Sequence, residues 1–258
     1  MPAVLAIAAH PDDIEYVMAG TLLRLAALGW EAHYFNLSSG NCGSLEMDAE
    51  ATARTRLGEA RAAAAVLGAV FYPPIAHDLE IIYSAPLLRQ VAAVVRQANP
   101  AIVLTHAPRD YMEDHMETSR LAVTAAFAKN IPNFASMPAR PGAPGDVAVY
   151  HAMPHGLAGP LGETITPDVY VDTTSAHTRK LDALRCHASQ QHWLSASQGM
   201  NSYLQAMEDM SLEMGRRSGR FPHAEGWRQH LPLGLSQAKN NPLAEALAAE
   251  GAIHPAAF

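Results

Sequence analysis

One stretch near the N-terminus, residues 3–15 (AVLAIAAHPDDIE), constrains the fold more than any other. Its first half is a short continuous apolar run, the pattern of a strand buried on both faces. The run ends at His10 and Pro11, and two adjacent carboxylates, Asp12 and Asp13, follow. Because open α/β folds bind ligands at the carboxyl edge of their parallel strands, this stretch predicts a functional site where the first strand ends.

Strand-like and helical patterns alternate further along the chain. Strands are predicted at 3–9, 31–37, 70–72, 101–106, 147–150 and 169–171, and helices at 14–29, 47–67, 85–98, 115–130 and 176–190. This alternation indicates parallel βαβ units with right-handed crossovers. We therefore expect an α/β fold with a Rossmann-like, mostly parallel sheet, helices on both faces and a smaller C-terminal section.

A connection rich in proline and glycine, residues 131–146, marks the expected domain boundary. Residues 1–146 are predicted to form the Rossmann-like catalytic core with a metal site. Residues 147–258 are predicted to form a C-terminal section that completes the sheet and the substrate pocket. Aromatic and amide side chains in this section fit a sugar-binding surface, a packing contact or a subunit contact equally well, so a homo-oligomer is an open alternative.

The composition excludes several classes of partner. The net charge is -7 and there is no basic block, which argues against nucleic acid as the main partner. The apolar runs are too short to span a bilayer and the N-terminus lacks the pattern of a signal peptide, so we expect no membrane and a cytoplasmic location. The two cysteines, Cys42 and Cys186, cannot form a disulfide framework, which fits a reducing compartment.

The turn after the first strand has the chemistry of a metal site. Pro11 restricts its own φ and that of His10, so neighbouring side chains can point in fixed and different directions. One carboxylate and the imidazole can bind a divalent metal while the second carboxylate stays beside the metal's water ligand. The alternative is helix capping by Asp12, with Glu15 completing a pair. Capping accounts for one aspartate, whereas the metal interpretation accounts for both aspartates and His10.

A catalytic zinc usually takes three protein ligands and leaves one position open. The best third ligand is His115, which follows the predicted strand ending at His106 and opens a helix at the same edge of the sheet. The alternative is again a cap, with Asp114 at the helix start and Glu117 three residues later. The matching positions of His10 and His115 favour the metal interpretation.

At this point the sequence resembles the LmbE-like, or PIG-L, family of zinc-dependent deacetylases. The resemblance rests on AHPDDIE at 9–15 with Gly20-Thr21 behind it, Arg56 to Glu59 with Leu67-Gly68, Asp110 to His115, and more weakly Lys180 to Gln190. It covers roughly the first 190 residues, and its first block is the specific signal.

The resemblance implies a role for each matched residue. His10, Asp13 and His115 would hold Zn²⁺, with another divalent ion as an alternative. Asp12 would be the general base that takes a proton from the attacking water. Arg56 would hold hydroxyl or anionic groups of the substrate, with Glu59 orienting it. Without the resemblance, Arg56 would be read as a solvated charge on a helix face.

The sequence departs from the family at Met112. The third block commonly reads His-Pro-Asp-His, and residues 112–115 here read Met-Glu-Asp-His. The missing histidine is thought to assist the tetrahedral intermediate or to protonate the leaving amine, and a thioether can do neither. The candidates to replace it are Tyr111, Glu113, His106, His151 and His155, and we predict Tyr111, His106 and His155 as substrate-binding residues together with Arg56.

The leading hypothesis is a metal-dependent amidohydrolase, a zinc-dependent N-deacetylase that removes an acetyl or acyl group from an N-acylated amino sugar or related conjugate. The alternative is a catalytically altered member of the same scaffold that binds metal or sugar without turnover, and Met112 motivates it. A dinucleotide-binding enzyme is a third and weaker hypothesis, since no G-x-G-x-x-G follows the first strand.

Overall fold

The structure is a computed structural model that describes residues 1–198, 203–236 and 240–256. Within these residues the strands are β1 Ala3–Ala8, β2 Glu31–Asn36, β3 Val70–Tyr72, β4 Ile102–Thr105, β5 Ala148–Ala152, β6 Val169–Asp172, β7 Ala224–Gln229 and β8 Ile253–Pro255. The helices are α1 Asp13–Val17, α2 Ala19–Ala27, α3 Ala49–Leu67, α4 Ala85–Ala98, α5 Glu113–Phe127, α6 His177–Leu184, α7 Ala188–Gln198, α8 Tyr203–Ser218 and α9 Pro242–Ala248.

These strands form one mixed sheet with the order β3-β2-β1-β4-β5-β7-β6-β8. The pairs from β3 to β5 are all parallel, and those that add β7, β6 and β8 are antiparallel. Strand β1 lies between β2 and β4, and the chain order reverses there, as it does at the ligand-binding edge of open α/β sheets. The expected α/β fold with a mostly parallel sheet is confirmed.

The apolar run of β1 is buried on both faces, as its sequence predicts. Val4 and Ala6 pack into the core that contains α2, while Leu5 and Ile7 pack into the core that contains α4 and α5. None of these four side chains has any exposed surface. Helices on both sides therefore fix β1, and β1 in turn fixes the turn that follows it.

The helix predicted at 14–29 is two helices, because the backbone leaves helical geometry at Met18 (φ -132°). The amide N–H groups of Gly20 and Thr21 then donate to the two carboxylate oxygens of Glu225, each at 2.8 Å. This carboxylate satisfies the unpaired N–H groups at the start of α2. A Cβ at position 20 would lie 2.5 Å from Cγ2 of Thr173, so the close approach requires glycine.

The C-terminal section adds β5 to β8 to the sheet and packs α6, α8 and α9 around it. The strands β7 and β8 were not predicted, and the helix predicted at 176–190 is divided between α6 and α7. Over the described ranges, no helix combines the length and apolar character that a membrane crossing needs.

Candidate active site

The turn after β1 is held by its own hydrogen bonds. The backbone N–H of His10 donates to Oδ2 of Asp13 at 2.7 Å, and the N–H of Asp13 donates to the carbonyl of His10 at 3.2 Å. Asp12 has a φ of 107°, a left-handed conformation that costs a non-glycine residue about 1–3 kcal/mol. Asp12 makes no side-chain capping bond at the start of α1, so the capping interpretation is wrong for this residue.

The structure brings the three predicted metal ligands together. Nδ1 of His10 lies 3.3 Å from Oδ2 of Asp13, and Nε2 of His115 lies 3.4 Å from Oδ1 of the same carboxylate. One ligand atom from each of the three residues lies within 4.8 Å of the others. The strand ends of β1 and β4 therefore converge on one point, as the sequence predicted.

The far nitrogen of each histidine bonds to a buried carboxylate. Nε2 of His10 donates to Oδ2 of Asp114 at 3.0 Å, and Nδ1 of His115 donates to Oδ1 of Asp110 at 3.0 Å. These bonds leave Nδ1 of His10 and Nε2 of His115 facing Asp13, as the nitrogens that a cation would take in place of a proton. Metal-binding histidines are typically oriented by a carboxylate in this way. The donor set therefore fits a divalent cation.

Asp114 orients His10 and does not cap α5. Helix α5 begins at Glu113, its N-cap residue is Met112, and no side chain caps it. The Asp114 carboxylate instead accepts from His10 and from the backbone N–H of Leu79 at 2.7 Å. The sequence identified this segment but not the positioning role of Asp110 and Asp114, because that role depends on which ring nitrogen each carboxylate meets.

The buried carboxylates of the site raise the pKa values of the two predicted histidine ligands. Burial lowers the pKa of His10, but its hydrogen bonds to Asp114 and Asp13 outweigh burial and raise the pKa to about 9. Burial is likewise outweighed at His115, where the charge of Asp13 and the bond to Asp110 raise the pKa to about 10. The pKa of Asp13 is held well below its usual range despite burial, mainly by the charge of His115.

Asp12 lies beside this set without belonging to it. Asp12 is 7% exposed, its Oδ2 accepts a hydrogen bond from the Tyr203 hydroxyl at 2.6 Å, and Nη2 of Arg56 lies 3.5 Å from its Oδ1. Burial raises the pKa of Asp12, and the Arg56 charge opposes this effect. Tyr203 is the functional residue that the sequence missed, because 191 positions separate it from Asp12.

Arg56 points inward from α3 and is 2% exposed, so the solvated-charge interpretation is wrong. Its Nη2 donates to the carbonyl of Pro11, and a Cβ at Gly40 would lie 2.6 Å from its Cδ. Glu59 does not orient it: both Glu59 oxygens accept from Ser189, from the amide at 2.8 Å and from the hydroxyl at 2.6 Å. Glu59 therefore attaches α7 to α3.

A cavity of about 360 Å³ lies over the three predicted metal ligands, His10, Asp13 and His115. Of the described residues, those that line it include the predicted ligands, Asp12, Arg56, Tyr111, His106 and His155, together with Met112 and the apolar groups Tyr16, Val17, Met153 and Leu194. The His106 ring stacks on His115 with centroids 4.1 Å apart, and its Nε2 accepts from the N–H of Ala9 at 2.9 Å. This leaves Tyr111 and His155 as the better placed substitutes for the missing histidine.

Two other candidates for that substitution lie elsewhere. His151 is behind His106, where Nδ1 donates to the His106 carbonyl at 2.7 Å and Nε2 accepts from His230 at 2.9 Å. Glu113 is exposed on α5 and is not among the described residues that line the cavity. The sequence could not separate these groups, since all of them lie close to a strand end.

The profile of the family described as "PIG-L: GlcNAc-PI de-N-acetylase" matches residues 5–126, which include β1, the His10 turn and the start of α5. Residues 5–126 form a PIG-L family domain. The resemblance inferred from the sequence is confirmed, and with it the expectation of an enzyme of this deacetylase family. The PIG-L domain ends before the C-terminal section that supplies Tyr203 and His155.

The relatives of this chain include two kinds of enzyme. The diacetylchitobiose deacetylase of Thermococcus kodakarensis is 28% identical over 194 residues, which cover 72% of this chain and 69% of that protein. The 4-oxalmesaconate hydratase of Pseudomonas putida is 29% identical over 240 residues, which cover 89% and 90%. The crystal structure of GalB, a 4-carboxy-2-hydroxymuconate hydratase from Pseudomonas putida KT2440, superposes with a TM-score of 0.76 at 25% identity and covers 93% of this chain and 99% of that one.

Proposed function

We propose that this PIG-L protein is a zinc-dependent hydrolase that removes an acetyl group from an N-acylated amino sugar or a related conjugate. One observation carries the proposal: two imidazoles and Asp13 converge on one point, each imidazole is backed by a carboxylate, and Asp12 lies beside this set without belonging to it. The deacetylase relative acts on diacetylchitobiose by its name, which supports an N-acetylated sugar as the substrate class.

His10, Asp13 and His115 would hold the ion. A zinc ion bound there would lower the pKa of a water ligand towards ~7 and polarise the amide carbonyl. Hydrolysis then breaks the amide C–N bond, adds the water oxygen to the acyl carbon and delivers a proton to the departing amine. The two carboxylates behind the histidines keep the ligand nitrogens pointed at one place throughout.

Asp12 takes the proton from the attacking water. Its hydrogen bond from Tyr203 fixes the carboxylate orientation, and each oxygen has two lone pairs, so a further bond can be accepted. Its raised pKa brings it nearer to neutral pH, where a general base is most effective. Arg56 stabilises the turn by donating a hydrogen bond to the Pro11 carbonyl, and its positive charge offsets the negative charge of Asp12.

We assign to His155 the transfer of a proton to the departing amine. Its ring packs edge-on against Tyr16, with centroids 5.2 Å apart, and lies 6.1 Å from the Tyr111 ring. Burial lowers its pKa, so the imidazole is neutral and can accept a proton, which it then passes to the departing amine. His155 therefore stands in for the histidine that Met112 replaces.

Acetate release from a panel of N-acetylated glucosamine derivatives tests the proposal, with bound metal measured in parallel. Asp13→Ala should lose both the metal and the activity. Asp12→Asn should keep the metal and lose about 10²- to 10⁴-fold in kcat. An Asp13→Ala protein with unchanged activity would refute the proposal. Metal retention without turnover in the parent, and gain of acetate release in Met112→His, would favour the binding-protein alternative.

A second candidate function is hydration of an unsaturated carboxylic acid. It is favoured by Met112 together with the hydratase relative, which matches 89% of the chain. Adding water across a carbon–carbon double bond uses a base such as Asp12 but releases no amine, so a site without the usual histidine suits it. Loss of the ultraviolet absorbance of a conjugated enoic acid, without acetate release from the sugar panel, would select this candidate.

A further inference from the structure

Three metal-ligating side chains meet outside the active site, where α6, α8 and the segment before β7 come together. His177 opens α6, Glu208 lies in α8, and His223 immediately precedes β7. One ligand atom from each lies within 4.8 Å of the others. None of the three is among the described residues that line the active-site cavity. We refer to them as the α6–α8 cluster.

Both ring nitrogens of His177 and both of His223 are buried and have no hydrogen-bond partner among the described residues. His177 is 7% exposed. The nearest charged atom, Oε1 of Glu208, lies 3.7 Å from its Nε2, which is too far for a hydrogen bond. A neutral imidazole carries one donor and one acceptor, and burying both without partners is costly. The unsatisfied nitrogens point to a missing ligand.

The backbone holds the two histidines side by side. The N–H of His223 donates to Oγ1 of Thr174 at 3.2 Å, and the His223 carbonyl accepts from the N–H of Thr173 at 3.0 Å. The two imidazole rings stack with centroids 3.9 Å apart and planes inclined by 20°. Two protonated rings at this distance would repel each other, so this geometry favours the neutral form, which is the form that binds metals.

We propose that the α6–α8 cluster, His177, Glu208 and His223, is a second metal site that takes a divalent ion of the zinc class. Two imidazoles and one carboxylate suit zinc and its transition-metal neighbours, whereas calcium and magnesium prefer oxygen ligands only. Imidazole donors on a tetrahedral zinc lie about 3.3 Å apart with ring centroids about 5 Å apart, so ion binding requires the stacked His177 and His223 rings to separate and turn towards one point. The Glu208 side chain, which is 36% exposed, is free to follow this movement.

Burial, the neighbouring His223 and the positive charge of Lys180 lower the pKa of His177, whereas Glu208 raises it. The Lys180 ammonium is paired with Glu225 at 2.8 Å, which offsets its charge. Glu208 itself supplies the negative charge, and its only ion-pair partner among the described residues is His177. The cluster thus offers a cation one carboxylate and two neutral nitrogens.

Such an ion would connect α8 to α6. Helix α8 also carries Tyr203, the donor to Asp12, and α6 packs on α1 and α3. The proposed site is therefore structural: its three ligands all lie in the C-terminal section, and the ion would join α8 to the helix that packs on the PIG-L domain. It does not depend on the reaction assigned to the active site.

The test measures how many zinc ions bind to each 258-residue chain. In an Asp13→Ala/His115→Ala protein the active-site ligands are removed, and we expect zinc titration of the metal-free form to show one remaining ion per chain. Adding His223→Gln should abolish that ion, and adding Glu208→Gln should weaken it. Asp209→Asn is the matched control, since Asp209 is the next residue of α8, is exposed, and bonds to Gln205 rather than to the cluster. That control should retain the ion.

Thermal unfolding provides a second readout. Zinc should raise the Tm of the Asp13→Ala/His115→Ala protein, because a ligand that binds only the folded state stabilises it. The increase should disappear with His223→Gln and persist with Asp209→Asn. The proposal is overturned if the active-site variant binds no zinc, cobalt or nickel, or if Glu208→Gln and His223→Gln leave binding unchanged. Absence of acetate release would refute the proposed function and leave this ion count intact.

Discussion

Replacing Asp114 by asparagine should weaken metal binding without removing a ligand. Oδ2 of Asp114 accepts two hydrogen bonds, from Nε2 of His10 at 3.0 Å and from the N–H of Leu79 at 2.7 Å. Burial raises the pKa of Asp114, but the His10 and Leu79 bonds outweigh it and hold the pKa below its usual value, so the group is a carboxylate. Asparagine keeps one acceptor oxygen and loses the charge that makes His10 a strong donor to a metal.

The magnitude follows from these two bonds. A hydrogen bond to a charged group contributes about 1.5–3 kcal/mol, and a neutral acceptor gives roughly half of that. Losing the charge behind His10 should therefore cost about 0.8–1.5 kcal/mol of metal binding, which is about 4- to 13-fold in the dissociation constant. The upper end of this range meets the ~10- to 100-fold loss typical of groups that orient a metal ligand.

The zinc dissociation constant is measured by competition with a chromophoric chelator, and thermal unfolding confirms that the variant is folded. Glu113→Gln is the matched control, because it removes the same charge from the neighbouring exposed residue of α5. An Asp114→Asn affinity within about threefold of the parent, or an equal loss in Glu113→Gln, would show that the carboxylate behind His10 does not support the metal.

Three further outcomes are expected. Tyr203→Phe removes the 2.6 Å hydrogen bond to Asp12 and should lower kcat by about 10-fold or more without changing the zinc content. A variant that loses zinc but keeps its kcat would contradict the role of Tyr203 in orienting Asp12. Gly40 has a φ of 73°, and a Cβ there would lie 2.6 Å from the buried Arg56 side chain. Gly40→Ala should therefore lower the free energy of unfolding, measured by urea titration, by about 1–3 kcal/mol. Gly58→Ala is the control and should not lower it, since a Cβ at Gly58 meets nothing within 4 Å. Burial lowers the pKa of His151 from 6.5 to about 4, so the unfolded chain binds the proton more readily between these values. The free energy of unfolding should consequently fall by up to about 3 kcal/mol as pH drops through that range, and a His151→Gln protein with the same pH slope would refute the assignment.

Most of the N-terminal fold could be predicted because its signals are local. The apolar run of β1 and the caps of α3 and α4 lie within a few residues of what they determine: Asp48 and Ser84 each accept a backbone N–H three residues ahead. Strand β7 could not be predicted, since it contains Glu225 and glycine in a buried position. Glu225 is tolerated there because it binds the Gly20 and Thr21 amides and Lys180, and these partners are distant in sequence.

The candidate site likewise contains residues that local sequence signals predict and residues that only distant contacts bring together. His10, Asp12 and Asp13 are adjacent, so their chemistry could be inferred from one motif, and His115 from its position after a parallel strand. The orientation of the imidazoles by Asp110 and Asp114 depends on side-chain geometry that no spacing encodes. The hydroxyl of Tyr203 reaches Asp12 only after the C-terminal section packs on the core.

The sequence by itself determined that a buried strand ends in a histidine and two carboxylates, because hydrophobic burial and the stiffness of proline act over a few residues. Tertiary structure alone decided which carboxylate faces the metal position and which faces a tyrosine, and it brought His177, Glu208 and His223 together from three separate segments. The physical reason is that a coordination site is defined by distances of a few ångströms between atoms, and only the packing of distant segments sets those distances.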